Sequence, residues 1–188
     1  LLHTGTLTEE KDGITGMLEA FCIANQKLNG ILHYVLTGTV ESSPQATKIK
    51  DIIKRYQMEN SISFVGYLSD EQIKQYQQHC LLTIINKKDN AKNSYCFSSK
   101  LAEYLAASCP VIITNVGEAL YYLNDHKTAY VVSHDDPNEI ADAIISAYSN
   151  EEQRNFIASS GRTLALEVFN CYKQAERIKV FLHDIANG

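Results

Sequence analysis

The stretch Tyr95-Cys96-Phe97-Ser98-Ser99-Lys100-Leu101-Ala102-Glu103-Tyr104-Leu105-Ala106-Ala107-Ser108-Cys109-Pro110-Val111-Ile112-Ile113-Thr114 reads as loop, helix, tight turn and buried strand. A hydroxyl of Ser98 or Ser99 can cap the helix, because it accepts from N–H groups that the first turn leaves without partners. Leu101, Tyr104, Leu105 and Ser108 follow helical spacing and mark its apolar face. Pro110 ends the helix and opens the strand at residues 111–113, where a missing N–H costs least. Such a helix start aims free N–H groups, a partial positive charge and the Lys100 ammonium at one place, which suits a phosphate or diphosphate. Glu103 sits one turn further in, placed to accept from sugar hydroxyls. The same pattern also describes an ordinary capped core helix with a dipole-favoured Glu in its first turn.

Outward from this stretch the alternation of strand and helix continues in both directions. Strands are predicted at residues 1–6, 31–36, 62–65, 81–85 and 129–133, and helices at 13–28, 44–58, 70–79, 137–149, 151–168 and 172–186. Ile14, Met17, Leu18, Phe21 and Cys22 give the first helix one apolar face; Ile49, Ile52, Ile53 and Tyr56 do the same for the second. Ser69 is placed to cap the third, ahead of acidic residues in its first turn. The run at 81–85, apolar but for Thr83, belongs to a strand buried on both faces. A short helix is expected about residues 120–123, and a polar loop at 86–94. This order predicts an α/β fold: a doubly wound, Rossmann-like parallel sheet of about six strands with helices on both faces. Ligands of such sheets bind past the carboxyl ends of the strands, here the loops at 6–12, 38–43, 66–69, 86–98 and 115–118.

At 188 residues the chain fits one large domain or half of a two-domain protein. A hydrophobic content of 45% with 3 Pro and 9 Gly supports a real core without covalent staples. The net charge of −5, with Lys and Arg scattered, disfavours a nucleic-acid partner. No apolar run approaches the roughly 20 residues that cross a bilayer, and no signal-peptide layout opens the chain. Cys22, Cys80, Cys96, Cys109 and Cys171 form no C-x-x-C pair and read as reduced thiols of a cytoplasmic protein, not as a zinc site or disulfide frame. The chain starts in a strand and without Met, so the expectation is a segment of something longer whose partner domain completes an active site.

The first strand ends Gly5-Thr6-Leu7-Thr8-Glu9-Glu10-Lys11-Asp12-Gly13, which is neither a dinucleotide fingerprint nor a Walker A loop. NAD and ATP in their usual modes are therefore disfavoured. Gly5 allows a ligand to approach the backbone, and Lys11 can reach back to it; equally, Gly5 can simply make the turn and Lys11 can be solvated. Phe64-Val65-Gly66-Tyr67 offers backbone groups to a flat base edge, or a plain turn. Lys87, Lys88 and Lys92 form either an anion site or a solvated charged face. The histidines lack metal-ligand spacing, and no G-x-S-x-G elbow is present.

Together these pieces resemble the C-terminal, donor-binding half of a GT-B glycosyltransferase of the group-1 class (family four), over almost the whole chain, with residues 1–188 as the nucleotide-sugar domain. Gly5 and Lys11 stand where that class has a strand-end Gly and a Lys before a further Gly. Phe64-Val65-Gly66 matches its Phe-x-Gly motif. Phe97 and Glu103 match its signature pair of Glu bracketing a Gly-Phe-Gly loop, and Ser99-Lys100-Leu101 with Glu103-Tyr104 resembles a variant of that signature. Pro110-Val111-Ile112, Gly117, Arg154 and Gly161-Arg162 continue the pattern.

The resemblance implies retaining, metal-independent transfer of a sugar from a nucleoside-diphosphate donor to a glycan or lipid-linked acceptor, as in polysaccharide biosynthesis, with no cofactor. Lys11 and the backbone N–H groups of Ser98, Ser99, Lys100 and Leu101 would hold the diphosphate, beside Gly5, Thr6 and Phe97. Glu103 would hold the ribose hydroxyls, and Tyr67 would lie by the base. The acceptor would bind through an N-terminal domain, in the cytoplasm or at the inner membrane face with peripheral membrane contact, and the isolated domain would be inactive. Two positions depart from the class: Thr6 replaces an Arg, and Tyr95 replaces the first signature Glu. Lys100 or Lys87 would stand in for that Arg. The alternative implied by these departures is a non-catalytic nucleotide-sugar-binding module. The last helix, with Ala175, Ile178, Leu182 and Ile185 as a seam, would leave an apolar patch exposed.

Overall fold

Residues Ile84 and Ile112 point into one apolar layer while their neighbours Ile85, Val111 and Ile113 point into another, as a strand's two-residue period requires. This two-sided burial is what commits the chain to a sheet covered by helices on both faces. The computed structural model describes residues 1–187. In chain order the elements are β1 (Leu2–His3), α1 (Glu9–Asp12), α2 (Ile14–Lys27), β2 (Tyr34–Leu36), a 3-10 turn (Val40–Ser42), α3 (Ala46–Tyr56), β3 (Ile62–Phe64), α4 (Asp70–His79) and β4 (Thr83–Ile85). There follow α5 (Ala91–Ser94), α6 (Ser99–Ala106), β5 (Val111–Thr114), a second 3-10 turn (Glu118–Tyr121), β6 (Tyr130–Val132), α7 (Pro137–Ser149), α8 (Glu151–Val168) and α9 (Cys171–Asn187).

The six strands form one sheet in the order β3-β2-β1-β4-β5-β6, every neighbouring pair parallel. Helix α2 packs against α3 and α7 in one layer, and α6 packs against α8 in the other. The sheet is therefore doubly wound, as expected, with the strand order reversing between β1 and β4.

Local chemistry explains the ends of the elements. Ser69 caps α4 in a full capping box with Gln72, and Asp136 caps α7 ahead of Pro137. Several boundaries differ from the expectation. The ladder of β1 is only Leu2–His3, because the chain turns at Gly5. The polar loop at 86–94 contains the helical turn α5, capped by the Asn90 side chain. Ser108, placed by spacing on the buried face of α6, lies past the helix end with φ of 59°. The residue before Pro110 is pushed out of helical conformation, so the turn must be made earlier. The expected helix near residue 120 is the 3-10 turn.

Helix α9 buries no side chain, and Ile178, Phe181, Leu182 and Ile185 are all more than half exposed, the apolar patch that its sequence implied. Cys80 and Cys109 bring their thiols to 2.9 Å where α4 and α6 end, and all five cysteines are free. No helix among the described residues is long and apolar enough to cross a membrane.

Candidate functional site

The reversal of strand order opens a crevice between the carboxyl ends of β1 and β4. The chain leaving β1 contributes Gly5 and Lys11 to it, the chain leaving β4 contributes Lys87, and the start of α6 contributes Ser98, Ser99 and Lys100. These residues line a cleft of about 340 Å³.

Its floor is built by side chains that tie loop to sheet. Thr37, at the end of β2, accepts from the Gly5 N–H at 2.9 Å. Tyr104 of α6 is fully buried; its hydroxyl accepts from the Thr4 N–H at 3.0 Å and shares a 2.6 Å hydrogen bond with the Thr4 hydroxyl. This fastens α6 to the end of β1. Gly117, with φ of 91°, passes so close to the loop before α6 that an added Cβ would lie 2.7 Å from the Cys96 carbonyl oxygen. Phe97 is wedged between Phe169 and Tyr122, with ring centroids at 5.1 and 6.1 Å, so its body belongs partly to the core.

Beneath the cleft lies a polar cluster. The Lys100 ammonium meets the Asp12 carboxylate at 2.5 Å, and the Thr6 hydroxyl donates to the other Asp12 oxygen at 2.8 Å. Burial opposes ionisation of Asp12, but the Lys100 ammonium outweighs it and holds the carboxyl below the usual range. Gly5, with φ of 143°, leaves the room Lys100 occupies: a Cβ there would lie 2.8 Å from its Nζ. His3 is 1% exposed, and neither ring nitrogen has a hydrogen-bond partner among the described residues. Burial first, and then the nearby Lys100 ammonium, bring its pKa down to about 4, so it is neutral at pH 7.

Set against the sequence reading, the structure brings Gly5, Lys11, Phe97, Ser98, Ser99 and Lys100 into one cleft. Ser98 occupies the N-cap position of α6, but its side chain makes no capping bond. The Leu101 N–H, expected to face a diphosphate, already donates to the Ser98 carbonyl at 3.0 Å, and its side chain is core. The Thr6 hydroxyl is turned down onto Asp12 and does not line the cleft. Glu103 is exposed and lines a second groove, between α4 and α6. Ile73 borders both grooves, so they adjoin along one edge of α4. Tyr67, 88% exposed on the loop after β3, lines neither. Tyr95, at the departing signature position, is 83% exposed.

The sequence reading missed Asp12, His3 and Thr37. The one available signal was a carboxylate directly after Lys11, and only the fold shows that it serves Lys100 instead.

A doubly wound sheet with a lysine-lined crevice at its switch point is the architecture of a nucleotide- or phosphate-binding domain. The sequence profile of the glycosyl transferases group 1 matches residues 1–164, and the chain belongs to that family. No curated protein sequence matches it. Among solved structures it is similar to HepE of Anabaena in complex with UDP-glucose, at 18% identity and a TM-score of 0.81 over 97% of this chain and 48% of that one. It is likewise similar to a glycosyltransferase from Rickettsia africae, at 20% identity and a TM-score of 0.81 over 100% of this chain and 48% of that one. A third similar structure is the C-terminal domain of the group 1 protein LpcC from Francisella tularensis, at 19% identity and a TM-score of 0.75 over 90% of this chain and 85% of that domain. The chain thus spans about half the length of the first two, and its fold is that of a GT-B C-terminal domain.

Proposed function

We propose that this chain is the donor-binding half of a glycosyltransferase that takes a nucleoside-diphosphate sugar. The observation that carries this is the crevice at the switch point, where Lys11, Lys87 and Lys100 surround the start of α6 with the Asp12 carboxylate beneath them. The diphosphate lies over Gly5 and the N–H groups that open α6, with Lys11 beside it. The nucleoside runs past Ile73 into the adjoining groove, where Glu103 accepts from the ribose hydroxyls, and the base reaches toward Tyr67. When the glycosidic bond to the donor breaks, negative charge grows on the departing diphosphate. Fixed ammonium groups and amides stabilise that charge without a metal.

Relatives crystallised with UDP or UDP-glucose make uracil the first base to test. Transfer retains the anomeric configuration. The acceptor, a glycan or a lipid-linked glycan, binds through an N-terminal domain, which covers the apolar face of α9 in the cytoplasm or at the inner membrane face. A second reading, a binding module without turnover, is favoured by Tyr95 and Thr6, neither of which offers charge to the cleft.

A thermal-shift series with UDP, GDP, ADP and their sugars tests the proposal. A ligand at about 100 times its dissociation constant adds about 2.7 kcal/mol of stability. Stabilisation by at least one of them, lost in Lys11→Ala, supports the reading. Stabilisation by none overturns it. Turnover of the donor by the full-length protein separates enzyme from binding module.

A further inference from the structure

Of the three lysines on the loop after β4, Lys88 pairs with Glu9 at 2.6 Å and Lys92 with Glu10 at 3.7 Å. Lys87 does neither. It is 6% exposed and lines the cleft, and its ammonium has no ion-pair or hydrogen-bond partner among the described residues. Its backbone is locked to β5: the Lys87 N–H donates to the Thr114 hydroxyl at 2.7 Å, and that hydroxyl donates back to the Lys87 carbonyl at 3.0 Å. The side chain is therefore delivered into the crevice from a fixed point. Burial pushes its pKa below the ordinary lysine value.

The Lys87 stem is buried while its ammonium opens on the cleft with no protein partner among the described residues, which leaves its charge available to an anion bound there. Lys100 is not that group, because Asp12 already neutralises it. The unpaired cations on the cleft are Lys87 and Lys11, and a sugar-linked diphosphate carries one negative charge on each phosphate. We infer that Lys87 is a diphosphate-binding residue of this chain, taking one phosphate while Lys11 takes the other, and that Lys100 serves to shape the floor. This rests on the donor-binding reading above.

The test compares the wild-type protein with Lys87→Met and Lys87→Arg by calorimetric titration with UDP, GDP and ADP, and with the corresponding nucleosides. Lys87→Met is expected to weaken the preferred nucleoside diphosphate by roughly tenfold to a hundredfold, since a charge-assisted bond to phosphate is lost. Affinity for the bare nucleoside stays unchanged, and Lys87→Arg restores most of the loss. Thermal melting of the unliganded protein moves the opposite way: Lys87→Met raises the midpoint, because a partly desolvated charge that faces Lys100 and Lys11 has been removed. A lysine with a merely structural role would lower it. If Lys87→Met binds the diphosphate as tightly as wild type, this inference falls and the donor-binding reading stands. If wild type binds none of the three diphosphates, both fall together.

Discussion

Helix α6 separates two grooves that differ in kind. On the side of its N-terminus the groove is lined by three lysines, floored by a buried carboxylate and an unpaired histidine, and held open by Gly5. On its flank, toward α4, the groove carries Glu103 with the exposed Asp70, Lys74 and Gln78, the half-buried Ile73 and the buried Gln77. The first is a place of strong, mutually dependent charges in which the loss of one partner is felt by the others. The second is a solvated surface where a carboxylate costs nothing to keep and is free to meet a hydroxyl. Under the donor-binding proposal, the same short helix would meet a diphosphate at one end and a ribose along its side.

If that contrast is correct, mutations in the two grooves differ in what they damage. The largest effect is expected from Asp12→Ala, which strips the half-buried Lys100 of its buried carboxylate partner. Breaking such a pair costs roughly 3 to 5 kcal/mol, readable in a urea melt. The same variant adds a free ammonium to the crevice, so its affinity for a nucleoside diphosphate rises while its stability falls. A drop in both would show that Asp12 orders the cleft beyond holding Lys100.

Next comes the acid limb of stability. His3 has a folded pKa near 4 against 6.5 for the free side chain, so between those values the unfolded chain binds the extra proton. Stability is full above about pH 6.5 and declines as the pH falls toward 4, by about 3 kcal/mol for a shift of this size. Asp12, whose pKa is lowered, adds loss in the same direction at still lower pH. Denaturant melts of His3→Leu should lack the His3 part of the decline; a decline of unchanged size would place its origin elsewhere.

The smallest stability effect is predicted for Glu103→Ala, within about 0.5 kcal/mol, because the side chain is exposed and makes no ion pair among the described residues. Its affinity for a ribonucleoside diphosphate should nevertheless fall, and its affinity for the dideoxyribose analogue should not. Equal loss for both sugars would deny Glu103 the ribose.

The alternation of elements was legible because periods of two and of 3.6 residues are local properties of backbone geometry. Ile84 and Ile85, or Leu101, Tyr104 and Leu105, announce their faces without help from distant residues. The bounds of α6 were legible for the same reason, since Ser98 at its N-cap position and Pro110 past its end act over a few residues. Misplaced boundaries fall where a local pattern competes with a turn, as at Ser108 beside Pro110 and at Gly5 after a two-residue ladder.

The sequence by itself determined the doubly wound sheet, the rim formed by the carboxyl ends of its strands, and the presence there of Gly5, Lys11 and the opening of α6. Only the tertiary structure decided which of Lys87, Lys88 and Lys100 remains unpaired among the described residues. Lys87, Lys88 and Lys100 look alike in sequence, but strand order sets β4 beside β1, and that adjacency gives Lys88 to Glu9, Lys100 to Asp12, and Lys87 to the open crevice. Charge pairing depends on distance across the fold and on burial. Neither is written in the spacing of residues along the chain.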